Sequence, residues 1–248
     1  MKKLVSDVRL EFMKMRRQHI WLVLLISVPI LAKCATTGKG SIADGYTRSF
    51  YGAPLYNAIL MPILCATIAS RICENEYEGH AFKQLMTMQK PRELFTAKFV
   101  VAALLMAIVC CVQPITILVT GKMYHYADAV TASDILFFAF SQYIVCIFFI
   151  IVIQIISLYV ENQFVPMSIG VILSLLGLFS MFFPPSVMRF MPSSYFALLN
   201  FVGMNWDRAG RSVSYYRMGY PWGYVAILAA VIIALYTVSL RWFVNKEN

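Results

Sequence analysis

Six apolar runs, each close to the length of a membrane crossing, decide what this chain can fold into. A helix needs about 20 mostly apolar residues to traverse a hydrocarbon core roughly 30 Å thick. The runs lie at Ile20 to Ala35, Pro54 to Cys73, Ala97 to Gly121, Ile135 to Val160, Phe164 to Phe183 and Trp222 to Phe243. The first is the shortest and borrows from its flanks. With 60% hydrophobic and 13% charged residues in a chain of 248, no stretch is left that could build a soluble domain. The expectation is an all-α membrane protein of six transmembrane helices, with residues 1–248 forming a single membrane domain.

The basic residues set the expected topology. With the N-terminus placed in the cytoplasm, residues 1–19, the Arg71 to Lys98 region and the C-terminal end hold thirteen Lys and Arg against eight on the other side. The positive-inside rule therefore puts both termini in the cytoplasm of a multi-pass protein of the cell membrane. The net charge of +9 reads as topology and lipid-headgroup contact. It does not read as nucleic-acid binding, because no basic stripe is interleaved with aromatics on a soluble face.

One polar stretch is held between two spans: Glu74 to Glu93, reading ENEYEGHAFKQLMTMQKPRE. It has an acidic lead-in (Glu74, Glu76, Glu78), a Gly79 hinge and a helix-compatible piece from His80 to Met88, with Phe82, Leu85 and Met86 at helical spacing. Lys90, Pro91 and Arg92 form a stop. Ahead of the first span, Leu4, Val8, Phe12, Met15 and His19 recur every three or four residues among basic ones. That pattern suits an amphipathic elbow helix lying along the membrane surface, or else a simple positive-inside anchor.

Proline recurs at Pro29, Pro62, Pro114 and Pro166, where kinks are expected. The polar residues Asn57, Thr67, Gln113, Gln142 and Gln154 should face protein or a cavity, as interhelical hydrogen bonders or as part of a substrate pathway. Small residues four apart (Ala226, Ala230, Ala234) or three to four apart (Gly170, Ser174, Gly177) permit close helix packing, within the chain or against a second copy. Lys33 to Ala53 reads as an external loop. Pro184 to Pro221 reads as short helices dipping into the outer leaflet followed by a loop, able to seal a pathway, to touch an amphipathic substrate, or to lie passively at the interface.

Several chemistries are excluded. Gly38-Lys39-Gly40-Ser41 resembles a phosphate-binding loop only superficially: Lys33 stands where its first Gly is required and Gly40 where its Ser or Thr is required. His19, His80 and His125 lie in separate segments and no HExxH occurs, so neither a metal site nor a hydrolase is expected. No ionisable residue is expected deep in a span, which argues against an ion-coupled carrier. The six cysteines (Cys34, Cys65, Cys73, Cys110, Cys111, Cys146) have no CxxC pair and should be buried free thiols.

The order of parts resembles the permease subunit of an ABC-2 type transporter: elbow, six spans, a cytoplasmic coupling helix after the second and a re-entrant segment before the sixth. At residue level the resemblance rests on Glu11-x-x-Lys14-x-Arg16-Arg17 and on the succession Glu78-Gly79, Lys83-Gln84-Leu85, Pro91-Arg92 and Lys98, with His80 where the family often has Thr. Size and entry motif are most similar to permeases of lantibiotic self-protection transporters, which expel a pore-forming bacteriocin peptide. The resemblance implies no catalysis and no cofactor in this chain. ATP and Mg would be bound by a separate ABC ATPase, in two copies, beside a second permease subunit, identical or related. It also implies that Phe82, Leu85 and Met86 enter a groove on that ATPase while the flanking charges set register. Permeases for drugs or lipid-like molecules share this architecture, and a structural or assembly subunit would suit the same residues.

Overall fold

The computed structural model describes residues 2–15, 20–36, 42–77, 91–160, 162–207 and 212–247. These form helices α1 (Lys2–Met15), α2 (Ile20–Ala35), α3 (Gly45–Tyr77), α4 (Pro91–Met123), α5 (Ala132–Tyr159) and α6 (Phe164–Ser180). Two short helices follow, α7 (Pro185–Met188) and α8 (Tyr195–Leu198), then strands β1 (Val202–Asp207) and β2 (Ser212–Arg217), and a final helix α9 (Trp222–Glu247). Four helices, α3, α4, α5 and α9, are long and apolar enough to cross a membrane. A fifth crossing arises only if α1 and α2, bent from one another by 77°, count as one span. The 17-residue α6 falls short of the same test, so among the described residues six full-length spans are not found.

α3 is the hub. It packs against α6, α5, α4 and α2, while α4 also carries α1 and α9 leans on α5 and α4. Helix α3 begins nine residues before the expected span, so the second half of the supposed Lys33 to Ala53 loop is helical. The cause is a cap supplied from far away: the Asp128 carboxylate accepts from Tyr46 N at 2.9 Å, Thr47 N at 2.7 Å and Thr47 Oγ1 at 2.8 Å. An anionic cap satisfies the orphan N–H groups of a first turn and suits the positive end of the helix dipole. Helix α4 starts at Pro91, before the expected Ala97, with proline in the N1 position where its missing N–H costs nothing. Thr131 and Asp134 form a full capping box at the start of α5.

Helix α6 lies against α3 through its small residues. A Cβ on Gly170 would sit 2.3 Å from Ala66 Cβ, one on Gly177 would sit 3.0 Å from Ala58 O, and Ser174 Oγ donates to Ile59 O at 2.8 Å. That stripe is therefore used within the chain. The α9 stripe of Ala226, Ala230 and Ala234 is exposed.

The segment 184–221 opens on short helices as expected, but a hairpin stands where a loop is expected in an all-α fold. After α7, a 3-10 turn at Pro192–Ser194 and α8, it forms an antiparallel hairpin pairing Val202 with Arg217 through Asp207 with Ser212. β-branched and aromatic residues, Val213, Tyr215 and Tyr216 among them, favour strand, and Tyr51 of α3 stacks near Tyr215 with ring centroids 5.2 Å apart. The thiols also depart in part: Cys65, Cys73, Cys110 and Cys146 are buried and in no disulfide, but Cys111 is exposed.

Candidate functional site

Among the described residues, three clusters of polar side chains join different helices of the bundle. The first is an amide layer at the meeting of α3, α4 and α5. Asn57 Nδ2 donates to Gln113 Oε1 at 3.1 Å and to Gln142 Oε1 at 2.9 Å, and Gln113 Nε2 donates back to Asn57 Oδ1 at 2.7 Å. All three side chains are buried, so the amides named as possible pathway residues satisfy one another in the interior of this conformation. Gln154 stands apart from them: its Nε2 donates to Phe95 O at 2.9 Å, and its Oε1 has no hydrogen-bond partner.

One helical turn from the amides lies a thiol layer. Cys110 Sγ and Cys146 Sγ are 4.0 Å apart, and Cys65 Sγ donates to Cys146 O at 3.7 Å. Residues three or four apart share a helix face, which is why Cys110 with Gln113 and Cys146 with Gln142 point into the same seam. Among the described residues no group of three or more His, Cys, Asp or Glu is arranged to hold a metal ion.

The second polar site is at the end of the bundle where α3 stops and α4 begins. Lys98, 1% exposed, donates from Nζ to Ile72 O at 2.7 Å and pairs with Glu11 Oε2 at 3.5 Å, while Lys14 Nζ contacts Glu11 Oε1 at 2.5 Å. On α1 the expected apolar stripe does reach the protein, with Met15 buried and Val8 and Phe12 half-buried against the core, but acidic residues join it there. Asp7 and Glu11 are buried, while Leu10 and Met13 are 42% and 54% exposed. A buried ammonium requires counter-charge, and a membrane solvates Leu10 and Met13. Lys98 is the second residue of the expected Ala97 to Gly121 span and not deep in it, but the helix starts earlier and buries it.

Of the residues assigned to coupling, Pro91 opens α4 and Arg92 is exposed beside it. Glu74 and Glu76 belong to the last turns of α3, with side chains outside the described residues. Glu78, Gly79, Phe82, Lys83, Leu85 and Met86, and Arg16 and Arg17, also lie outside the described residues, as do Gly38 to Ser41. The stems that frame the 78–90 connector are gripped from several sides. Besides Lys98 and Gln154, Thr96 Oγ1 lies 3.1 Å from Tyr236 Oη of α9, and Phe95 packs with Cys73, Leu158 and Phe243.

The third polar site is at the opposite end, under the hairpin. Arg217 Nη1 donates to Asp134 Oδ2 at 2.8 Å and Tyr220 Oη donates to Asp134 Oδ1 at 2.9 Å, while Arg217 Nη2 reaches Ala129 O. Beside it an apolar cleft of about 280 Å³ is lined by Ser133, Leu136, Phe137, Phe140, Tyr220 and Trp222. Sequence reasoning passed over Asp134, although Thr131-x-x-Asp134 ahead of an apolar run is a capping-box signature. Nearby, burial pushes the Tyr195 phenol above its ordinary value, Tyr224 adds to the rise and Arg189 opposes it.

A search of curated proteins finds no match. Residues 8–177, from within α1 almost to the end of α6, match the family described as ABC-2 family transporter protein. That match covers more than half of the chain, and the apolar helices agree with it. Membership carries a permease role and, for the family in general, an ABC ATPase partner. The chain is a multi-pass membrane protein that belongs to the ABC-2 transporter family.

Proposed function

We propose that the chain is the non-catalytic permease subunit of an ABC-2 exporter in the cell membrane, with both termini cytoplasmic and six membrane passes, the short α2 and α6 included. A separate ATPase, in two copies, would bind ATP and Mg and engage residues 74–93 through Phe82, Leu85 and Met86. A second permease subunit, identical or related, would complete the membrane half, and the exposed Ala226, Ala230 and Ala234 stripe of α9 leaves room for close approach.

The observation that carries this reading is the family match together with the grip on the connector's stems by α1, α5 and α9. Motion imposed on the connector would enter a bundle already braced to receive it. Replacing Phe82 and Leu85 with Asp should abolish co-purification of the ATPase while the permease remains in the membrane. Unchanged co-purification would overturn the assignment.

The proposed substrate is an amphipathic antimicrobial peptide, a lantibiotic whose expulsion confers self-protection. The second reading is a drug or lipid-like amphiphile, and the aromatic cleft at the hairpin end suits either through its apolar walls. Cells with and without the complete transporter, exposed to a panel of lantibiotics, separate the two. Equal sensitivity throughout removes the peptide reading.

A further inference from the structure

The Lys98 ammonium ties its own helix to two others at once. It sits on α4, seven residues past the start of that helix at Pro91. Its hydrogen bond goes to Ile72 O on α3, five residues before the end of that helix at Tyr77. Its charge is met by Glu11 on α1. One side chain thus joins the two stems of the 78–90 connector to each other and to the elbow helix.

The contacts differ in kind from those around them. Val8 and Phe12, the half-buried apolar residues of α1, make non-directional contacts that can slide over a neighbouring helix. A buried ion pair cannot slide in this way, because separation leaves an uncompensated charge in a region of low dielectric. The pair is therefore a rigid joint set among softer contacts. Lys14 on the other oxygen of Glu11 holds that carboxylate in place.

We propose that Lys98 and Glu11 are positioning residues for energy coupling: displacement of the connector's stems is handed to α1 through this joint, so that the elbow moves with α3 and α4 as one body. The inference rests on the reading of residues 74–93 as the ATPase-facing connector, and its test separates the two.

Amide hydrogen exchange is measured on the full chain in lipid nanodiscs, alone and with its ATPase, with and without a non-hydrolysable ATP analogue. Lys98→Met removes the charge at similar length, and Lys98→Arg keeps charge and donors. In the wild-type complex the analogue should change exchange in peptides from the start of α4 and in α1 together. In Lys98→Met the α4 peptides should still respond while α1 no longer follows, and α1 in the free chain should exchange at least about tenfold faster. Lys98→Arg should restore the α1 response. An α1 response in Lys98→Met equal to wild type overturns the proposal, as does a uniform rise in exchange across all helices, which would mark Lys98 as generally structural. If the α4 peptides do not respond even in wild type, the connector reading fails. The joint is then judged on the free chain, where unchanged α1 exchange in Lys98→Met rejects it.

Discussion

Asp134 receives Arg217 on one carboxylate oxygen and Tyr220 on the other, at 2.8 and 2.9 Å, so a residue in the first turn of α5 holds both the end of β2 and the approach to α9. The same carboxylate closes the α5 capping box through Thr131 N at 3.1 Å. Asp134 is buried and Arg217 about a third exposed, which moderates the pair's strength through solvent screening.

Asp134→Asn should therefore cost more than Arg217→Met. The first weakens the cap and the hairpin attachment together, by about 2 kcal/mol, and the second loosens the hairpin alone, by about 1 kcal/mol. The buried thiols of Cys65, Cys110 and Cys146 supply the measurement: a thiol-reactive fluorophore reports thermal unfolding in detergent, with exposed Cys111 replaced by Ser. Equal melting midpoints for Asp134→Asn and wild type would contradict this account.

The amide layer should behave as a unit. Asn57→Leu strips Gln113 and Gln142 of their shared partner and should cost about 1 kcal/mol, in the range of hydrogen bonds between membrane helices. Replacing all three amides by Leu should cost less than the sum of the single changes, because no orphaned polar group remains. Strict additivity in the same unfolding assay would show that the three act independently.

Gly170 and Gly223 form a matched pair of tests. Gly170→Val drives a side chain into Ala66 across a 2.3 Å gap and should separate α6 from α3, with a loss of about 3 kcal/mol. Gly223→Ala meets nothing within 4 Å and should be neutral or slightly stabilising by helix propensity. A tolerated Gly170→Val would mean that α6 does not pack there.

Alkaline pH offers a further check at Tyr195, whose phenol donates to Arg189 O at 3.2 Å. Its folded pKa is raised above the ordinary 10.0, chiefly by burial, so near that value the unfolded chain loses this proton before the folded one does. The contribution is complete below about pH 10 and fades as pH climbs through the raised folded value. Melting midpoints from pH 8 to 11 should fall more steeply for wild type than for Tyr195→Phe, and parallel curves would refute the assignment.

Hydropathy located the helices where a run is bounded by its own residues. The expected Ile20 to Ala35 coincides with α2, and Phe164 and Trp222 open α6 and α9 as expected. It failed where the boundary is set from a distance: the early start of α3 depends on Asp128, some eighty residues further along, which no local pattern near Gly45 reveals. The hairpin escaped notice because Val202 to Arg217 was read for apolar content and charge, while its signal is β-branched and aromatic residues either side of the Arg208-Ala209-Gly210 stretch. Asn57, Gln113, Gln142 and Gln154 are buried as expected, while Thr67 is half-buried and bonds Ile63 O of its own helix; which amide meets which is a matter of helix rotation, and neither Lys98 nor the inward turn of Asp7 and Glu11 follows from spacing.

The two carboxylates on the inward face of α1 have a consequence for how the protein is made. With Asp7 and Glu11 turned inward beside Met15, the Glu11 carboxylate has no Lys98 to meet until α4 has been translated. Because α2 and α3 lie between the two in the chain, this contact of the first helix closes only after two later helices have been made.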